Sequence, residues 1–241
     1  TLFRVEVMPA LPRRLEATKQ TEAAWHTSEE RRRVVMAWAH SGMQGWRPTM
    51  EDDTVAECLD PSGGTFVFAV FDGHGGDYCS RWAARELPRR LRAAMAAAAA
   101  GLSFEHGSGS GSERTPPLAE VLLGMDADLR REARAWSCGT TACVGLVTAT
   151  SVTVANLGDS RAVLCRGGGA LPLSWDHKPT DEGERSRIVR AGAAVIEGRV
   201  NGDLALSRAL GDFRHKTASL PAPHQPVSSL ADVQTVVRGP S

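Results

Sequence analysis
The chain has 241 residues, 42% hydrophobic and 23% charged, with 28 basic and 28 acidic side chains, so its formal net charge is +0. That length suits one large domain or two small ones, and the balanced charge leaves no global basic field to draw it to nucleic acid or anionic lipid. No apolar run reaches membrane-spanning length: the longest, Ala93–Ala100, is alanine-rich and preceded by Arg89, Arg90 and Arg92.

Taken in order, Thr1 to Arg33 is polar, with weak periodicity, and reads as an N-terminal arm or partly helical lead-in. Thr1–Gln20 lacks the apolar core and cleavage pattern of a secretory signal, and the start at Thr1 leaves open that a natural beginning precedes it. Val34–His40 reads as a first strand. Ser41-Gly-Met-Gln-Gly-Trp-Arg-Pro48 is a loop punctuated by Gly and Pro. Met50-Glu-Asp-Asp-Thr-Val55 carries three carboxylates into a second strand, and Pro61–Gly64 is a turn. Phe66–Phe71 is an apolar run that predicts a buried strand.

That strand stops at Asp72-Gly-His-Gly-Gly76, after which the period changes. Asp77 is placed to cap a helix from Tyr78 to about Ala100, closed by Gly101, with Trp82, Leu87, Leu91 and Met95 on its buried side. Gly107–Ser112 is a Gly/Ser loop. Pro116 and Pro117 suit a helix start, and Leu118, Val121, Leu122, Met125 and Leu129 follow at helical spacing. Thr140–Val147, Ser151–Asn156 and Arg161–Cys165 read as short strands, their brief links implying antiparallel neighbours. Asp176-His-Lys-Pro179 is a loop. Thr180 is placed to cap a helix with Asp181 and Glu182 in its first turn, Arg187 and Arg190 near its end and Gly192 after it. Gly202–Gly211 reads as a short helix or turn, His215–Pro226 as irregular, and Val233–Val237 as one more strand. The cysteines at 58, 79, 138, 143 and 165 form no C-x-x-C pair and are odd in number, which reads as reduced, small core residues.

The chemistry gathers where the apolar strand ends. A carboxylate there sits on a rigid support, and the glycines after it let a backbone carbonyl approach whatever the carboxylate holds. His74 adds a group that moves protons near neutral pH. Asp72-Gly-His is compatible with a hard-metal site, but taken alone it is more often an ordinary Gly-rich turn. A second acidic cluster, Glu51 and Asp52, also lies at a strand end. Two divalent ions roughly 3.5–4 Å apart can acidify a bridging water for in-line attack, chemistry that needs carboxylates and no nucleophilic side chain. The Cys-x5-Arg, G-x-S-x-G and Walker phosphate motifs are all absent from the sequence. Arg47 could grip an oxyanion bidentately, or simply pair with Glu51, Asp52 or Asp53.

Six ordered blocks now carry a resemblance: Gly42-Met-Gln-Gly-Trp-Arg-Pro-Thr-Met-Glu-Asp52, Phe68-Ala-Val-Phe-Asp-Gly-His-Gly-Gly76, Ser137-Cys-Gly-Thr-Thr-Ala142, Asn156-Leu-Gly-Asp-Ser-Arg161, Asp176-His-Lys-Pro179 and the run from Arg199 through Ser207-Arg-Ala-Leu-Gly-Asp-Phe213. The chain resembles the PPM family, the metal-dependent type 2C protein serine/threonine phosphatases, from about Val34 onward. The resemblance implies an α+β fold, a sandwich of two antiparallel β-sheets flanked by helices, with an arm over 1–33 and the phosphatase-like domain over 34–241. It implies hydrolysis of phosphoserine and phosphothreonine in phosphoprotein substrates, with Mg²⁺ or Mn²⁺, two per complete site. A cytoplasmic or nuclear monomer without nucleic-acid or membrane partners is the accompanying expectation.

Position by position, Asp72 resembles the carboxylate that bridges the metals, Gly73 a carbonyl ligand, Glu51 an acidic ligand and Asp52 a residue holding the water shell. Arg47 matches the phosphate-binding arginine and His74 the general acid. Asp159 matches a residue linked to a third metal, or else closes a turn. The stretch from Asp176 to Gly211 includes the family's flap. Asp203 and Asp212 read as caps or turn residues, and Trp46, Trp82, Trp136 and Trp175 as packing groups. The family's later Asp-Gly-x-Trp-Asp block and Asp-Asn pair do not occur before Ser241, so the last strands and two metal carboxylates are expected to be missing from this chain. The alternative is an inactive phosphatase-like fragment serving as a binding module.

Overall fold
The computed structural model describes residues 2–6, 21–25, 37–60, 64–100 and 116–238, the first two stretches as backbone. Its elements are β1 (Leu2–Glu6), β2 (Thr21–Trp25), β3 (Ala37–Ser41), β4 (Asp53–Asp60), β5 (Thr65–Phe71), β6 (Gly73–His74), α1 (Tyr78–Ala99), α2 (Leu118–Leu129), β7 (Gly139–Thr140), β8 (Ala142–Val147) and β9 (Ser151–Leu157). They continue with β10 (Val163–Arg166), β11 (Gly169–Pro172), α3 (Glu182–Arg190), β12 (Val195–Ile196), β13 (Arg199–Val200), β14 (Leu210–Gly211) and β15 (Asp232–Val237).

The main sheet is antiparallel throughout, in the order β15-β9-β8-β5-β4. Its centre is apolar on both faces, and strand alternation sorts the side chains. Val67, Ala69 and Phe71 of β5 join Val144 and Leu146 of β8 and Ala155 and Leu157 of β9 under the helices. There they meet Trp82, Leu87 and Leu91 of α1 and Leu118, Leu122, Met125 and Leu129 of α2. Phe66 and Phe68 point the other way, to Trp38 of β3, at ring distances of 6.1 and 5.7 Å. Trp38 thus brings the β1-β3-β2 sheet across the second face. The β10–β11 hairpin and Leu173 cover the rest of that face, over Cys143 and Val154. The architecture is antiparallel sheets flanked by helices.

Several expectations are corrected. The polar lead-in, read as an arm or partly helical, carries the strands β1 and β2, paired to β3. The first strand is Ala37–Ser41; residues 34–36 lie outside the described residues, as do the turn at 61–63, Gly101 and the Gly/Ser loop. The run from Thr140 is broken at Thr141 into β7 and β8, which belong to different sheets. β10 pairs with β11 rather than with β9. Asp181, not Thr180, is the residue before α3, and Asp77 precedes α1 without a side-chain capping bond, its carboxylate meeting Arg81 at 3.0 Å. Of the helix or turn expected over Gly202–Gly211, the structure has a turn, followed by β14. Trp82 is buried, but Trp46, Trp136 and Trp175 are exposed. All five cysteines are free thiols, with Cys165 exposed rather than in the core. No described helix is long and apolar enough to cross a membrane.

Candidate active site
The small sheet β14-β7-β6 sits at the end of the main sheet and gathers the sequence-predicted residues. Asp72 stands between β5 and β6. Its backbone N–H is bonded to Thr141 Oγ1 at 3.0 Å, and its carbonyl accepts the Thr141 N–H at 3.0 Å. Thr141 Oγ1 also lies 2.7 Å from Ser160 Oγ. The break between β7 and β8 is therefore a clamp, joining the Asp72 turn to the turn that carries Asp159.

The carboxyl of Asp72 is pushed above its usual range, by burial first and then by the charges of Asp52 and Asp159. A carboxylate made costly to ionise by two neighbouring negative charges is a position where a cation is favoured. Gly73 follows, packed so closely on the Glu51 backbone that a Cβ would stand 2.2 Å from the Glu51 carbonyl oxygen. Ser80 of α1 donates to that same oxygen at 2.5 Å. The acidic turn before β4 is thereby held against the strand end. Among the described residues no three His, Cys, Asp or Glu side chains converge as a ready ligand set. Two carboxylates and a carbonyl suit an ion that keeps several waters, the habit of Mg²⁺.

Arg47 meets Glu51 at 3.3 Å, on a side chain 70% exposed. Such a pair contributes less than about 1 kcal/mol, so the guanidinium can exchange Glu51 for a better anion. Asp159 is ion-paired with Lys178. The loop carrying Lys178 is bound to the Asp159 turn. His177 Nδ1 accepts the Gly158 N–H at 3.1 Å, the His177 N–H donates to the Gly158 carbonyl at 2.9 Å, and Arg161 forks onto Asp176 with two 3.0 Å bonds.

His74 has a partner that sequence reasoning missed. Asp212, fully buried, places Oδ2 2.7 Å from His74 Nε2. It occupies a left-handed backbone position, φ 53°, and its Oδ1 is buried without a hydrogen bond. Strain and an unsatisfied carboxylate oxygen are costly together and mark a functional position. Asp212 does sit in a turn, as expected, but its side chain serves His74. Gly139 makes the approach possible, since a Cβ there would lie 2.1 Å from Asp212 Oδ2 and 2.7 Å from His74 Nε2. Burial lowers the tendency of His74 to hold a proton, but the Asp212 bond and the charges of Asp212 and Asp72 more than offset it, and its pKa is raised. The Gly211 turn is fixed by a buried ion pair, Lys216 Nζ to Asp126 Oδ1 at 2.7 Å, with Asp126 also accepting the Gly211 N–H at 2.9 Å. The sequence signal for Asp212 was its block, Ala-Leu-Gly-Asp; nothing in its residue type separated a turn aspartate from a histidine partner.

Residues 36–241 match the family described as Protein phosphatase 2C. The chain is 41% identical over 197 residues to "Protein phosphatase 2C homolog 3" of Schizosaccharomyces pombe, covering 80% of this chain and 45% of that one. It is 35% identical over 246 residues to "Probable protein phosphatase 2C 58" of Oryza sativa subsp. japonica, covering 87% and 67%. Among solved structures it superposes on a phosphatase from a pathogenic strain of Toxoplasma gondii with a TM-score of 0.64, at 27% identity, over 80% of this chain and 70% of that one. The chain spans about half the length of several of the curated relatives it matches. With this fold, these ordered blocks and these relatives, the chain belongs to the protein phosphatase 2C family.

Proposed function
We propose that the protein hydrolyses phosphoserine and phosphothreonine in proteins, using Mg²⁺ or Mn²⁺ held at Asp72, the Gly73 carbonyl and Glu51, with Asp52 and Asp159 ordering the surrounding water. The observation that carries this reading is the Asp72 carboxyl at the end of a rigid strand, raised by burial and by the charges of Asp52 and Asp159, beside the His74–Asp212 pair and the Gly73 backbone packed on Glu51. A divalent cation at that position would supply positive charge for the phosphoryl oxygens and a water of lowered pKa. Arg47, exposed and weakly held, binds phosphoryl oxygens bidentately. With Nε2 donating to Asp212, His74 has Nδ1 left to give a proton to the departing serine or threonine oxygen; Nδ1 makes no hydrogen bond among the described residues. The segment from Asp176 to Gly211 acts as the flap that borders the substrate.

The test is release of phosphate from a phosphothreonine peptide and from a chromogenic phosphate ester in Mn²⁺. Asp72→Ala should remove turnover, His74→Ala should lower it by about 10²–10⁴-fold as expected of a general acid, and Arg47→Ala should lower kcat/KM by about 10–100-fold, from about 1.5–3 kcal/mol for bonds to a charged group. Turnover unchanged in Asp72→Ala would refute the reading. A second reading, a phosphatase-like binding module, is favoured by one observation: three side-chain metal ligands do not converge among the described residues. It requires that wild type show no turnover in the same assay.

A further inference from the structure
Two thiols beside β7, the strand that pairs with His74, have no part in this mechanism. Cys79, in the first turn of α1, is fully buried, and Cys138, just before β7, is 3% exposed. Their Sγ atoms are 3.3 Å apart, joined from positions 59 residues apart in the chain. Cys79 Sγ is also 3.3 Å from the Cys138 carbonyl oxygen, and Cys138 Sγ is 3.0 Å from the Arg134 carbonyl oxygen. The surroundings are close-packed: a Cβ on Gly211 would meet Cys79 Sγ at 2.8 Å, and one on Gly75 would meet Cys138 Cα at 3.3 Å. The Cys138 carbonyl accepts the Asp212 N–H at 2.9 Å, and the next residue, Gly139, pairs with His74. The pair is polarised. The hydrogen bond between the sulfurs holds the Cys138 thiol below its usual range and pushes that of Cys79 up. By contrast burial pushes Cys143 up to about 12, and Cys58 is raised as well.

We propose that Cys79 and Cys138 form a redox modification site, which hydrogen peroxide converts to a disulfide that tightens β7 against α1 beside His74 and Asp212. The Cys138 thiolate sulfur attacks a peroxide oxygen. The O–O bond breaks, hydroxide leaves and takes a proton to become water, and Cys138 becomes a sulfenic acid. Cys79 then gives up its proton and its sulfur attacks the Cys138 sulfur. The S–O bond breaks, and the departing hydroxide takes that proton as a second water. Two thiols are oxidised and one peroxide is reduced to two waters. A disulfide requires sulfurs about 2.05 Å apart, so from 3.3 Å they close by roughly an ångström. In a region this tightly packed, that movement is transmitted to the Cys138 carbonyl and so to the backbone of Asp212. The linkage itself rests on geometry; its effect on turnover rests on the phosphatase reading.

The test treats the whole chain with hydrogen peroxide, alkylates it after denaturation and identifies the cysteine peptides by mass spectrometry. The expected product is a cross-linked Cys79–Cys138 peptide, lighter by two hydrogens and restored by dithiothreitol, while Cys143 alkylates fully. Cys79→Ser, and the apolar Cys79→Val should the first variant fold poorly, should give no cross-link and leave Cys138 oxidised alone. Phosphate-ester turnover should fall severalfold on linkage and recover on reduction, with slower amide exchange at His74 and Gly139 in the oxidised form. Full alkylation of both cysteines after peroxide, or oxidation of wild-type Cys138 without the link, overturns the proposal. A link that forms with turnover and amide exchange unchanged overturns its regulatory half. Absence of turnover in the reduced protein counts against the function proposed above, and the linkage result stands apart from it.

Discussion
At His74 a single carboxylate decides the proton. The imidazole is mostly buried, which alone would favour its neutral form, and the 2.7 Å bond to Asp212 reverses that preference. Because the folded pKa is raised above the unfolded value, the pair stabilises the fold fully below the ordinary histidine range and loses that contribution as pH rises through the folded pKa. Asp212→Asn should return His74 to a lower pKa, visible as a downfield-to-upfield ring titration moved to lower pH in NMR; an unmoved titration would separate the two residues. Gly139→Ala is the complementary test. Its Cβ would fall within 2.1 Å of Asp212 Oδ2, so the carboxylate must leave the imidazole. We predict a loss of phosphate-ester turnover of about 10²-fold or more, the range of a misplaced general acid. Turnover within twofold of wild type would show that the contact is dispensable.

At the scale of elements, the segment from Asp176 to Gly211 is held by buried charge. Glu184 of α3 accepts from Arg208 at 2.8 Å, from Arg187 at 2.7 Å and from Ser207 at 2.5 Å, and Arg208 reaches on to Asp232 of β15 at 2.7 Å. A small apolar cluster, Ile188, Val200, Leu204, Leu206, Ala209 and Val227, packs beneath it. Burial raises the Glu184 carboxyl, but the bonds from Arg208, Arg187 and Ser207 outweigh that and bring it down to about 2. With a depressed folded pKa, its contribution is present above the unfolded carboxylate range and is lost as pH falls through the folded value. Glu184→Ala takes from Arg187 its carboxylate partner and leaves Arg208 with Asp232 alone, and should cost about 3–5 kcal/mol, measured by urea unfolding at neutral pH. The deficit should shrink between about pH 4 and pH 2, where wild type surrenders the same interaction. A deficit below about 1 kcal/mol would place the network at the surface energetically, whatever its burial.

Over the whole molecule, what the sequence made legible follows from how local each signal is. The strand from Phe66 to Phe71 and the helices from Tyr78 and Leu118 announce themselves by period, because each buries a face that its own spacing defines. The Asp72 turn was legible because glycine punctuates it, and Glu51 because it opens a run of three carboxylates leading into a strand. Asp212, Gly139 and Thr141 were not, since their roles exist only across the fold: Asp212 lies 138 residues from His74 in sequence, and Thr141 ties Asp72 to Ser160 by side-chain bonds that no periodicity encodes. The strands β1 and β2 were not legible in the polar lead-in because they owe their state to pairing with β3, a non-local cause. Trp46 and Trp175 were assigned to packing by residue type alone, yet they lie exposed, while Trp136, half exposed, keeps a ring contact with Phe213 at 6.1 Å.

The account stands on Asp72 as a cation ligand, and the most direct measurement is anomalous diffraction from crystals of the protein soaked in manganese. The account predicts an anomalous peak beside the Asp72 carboxylate and the Gly73 carbonyl, abolished in Asp72→Ala. Crystals with no manganese at Asp72, or with a peak that persists unchanged in the variant, would contradict it.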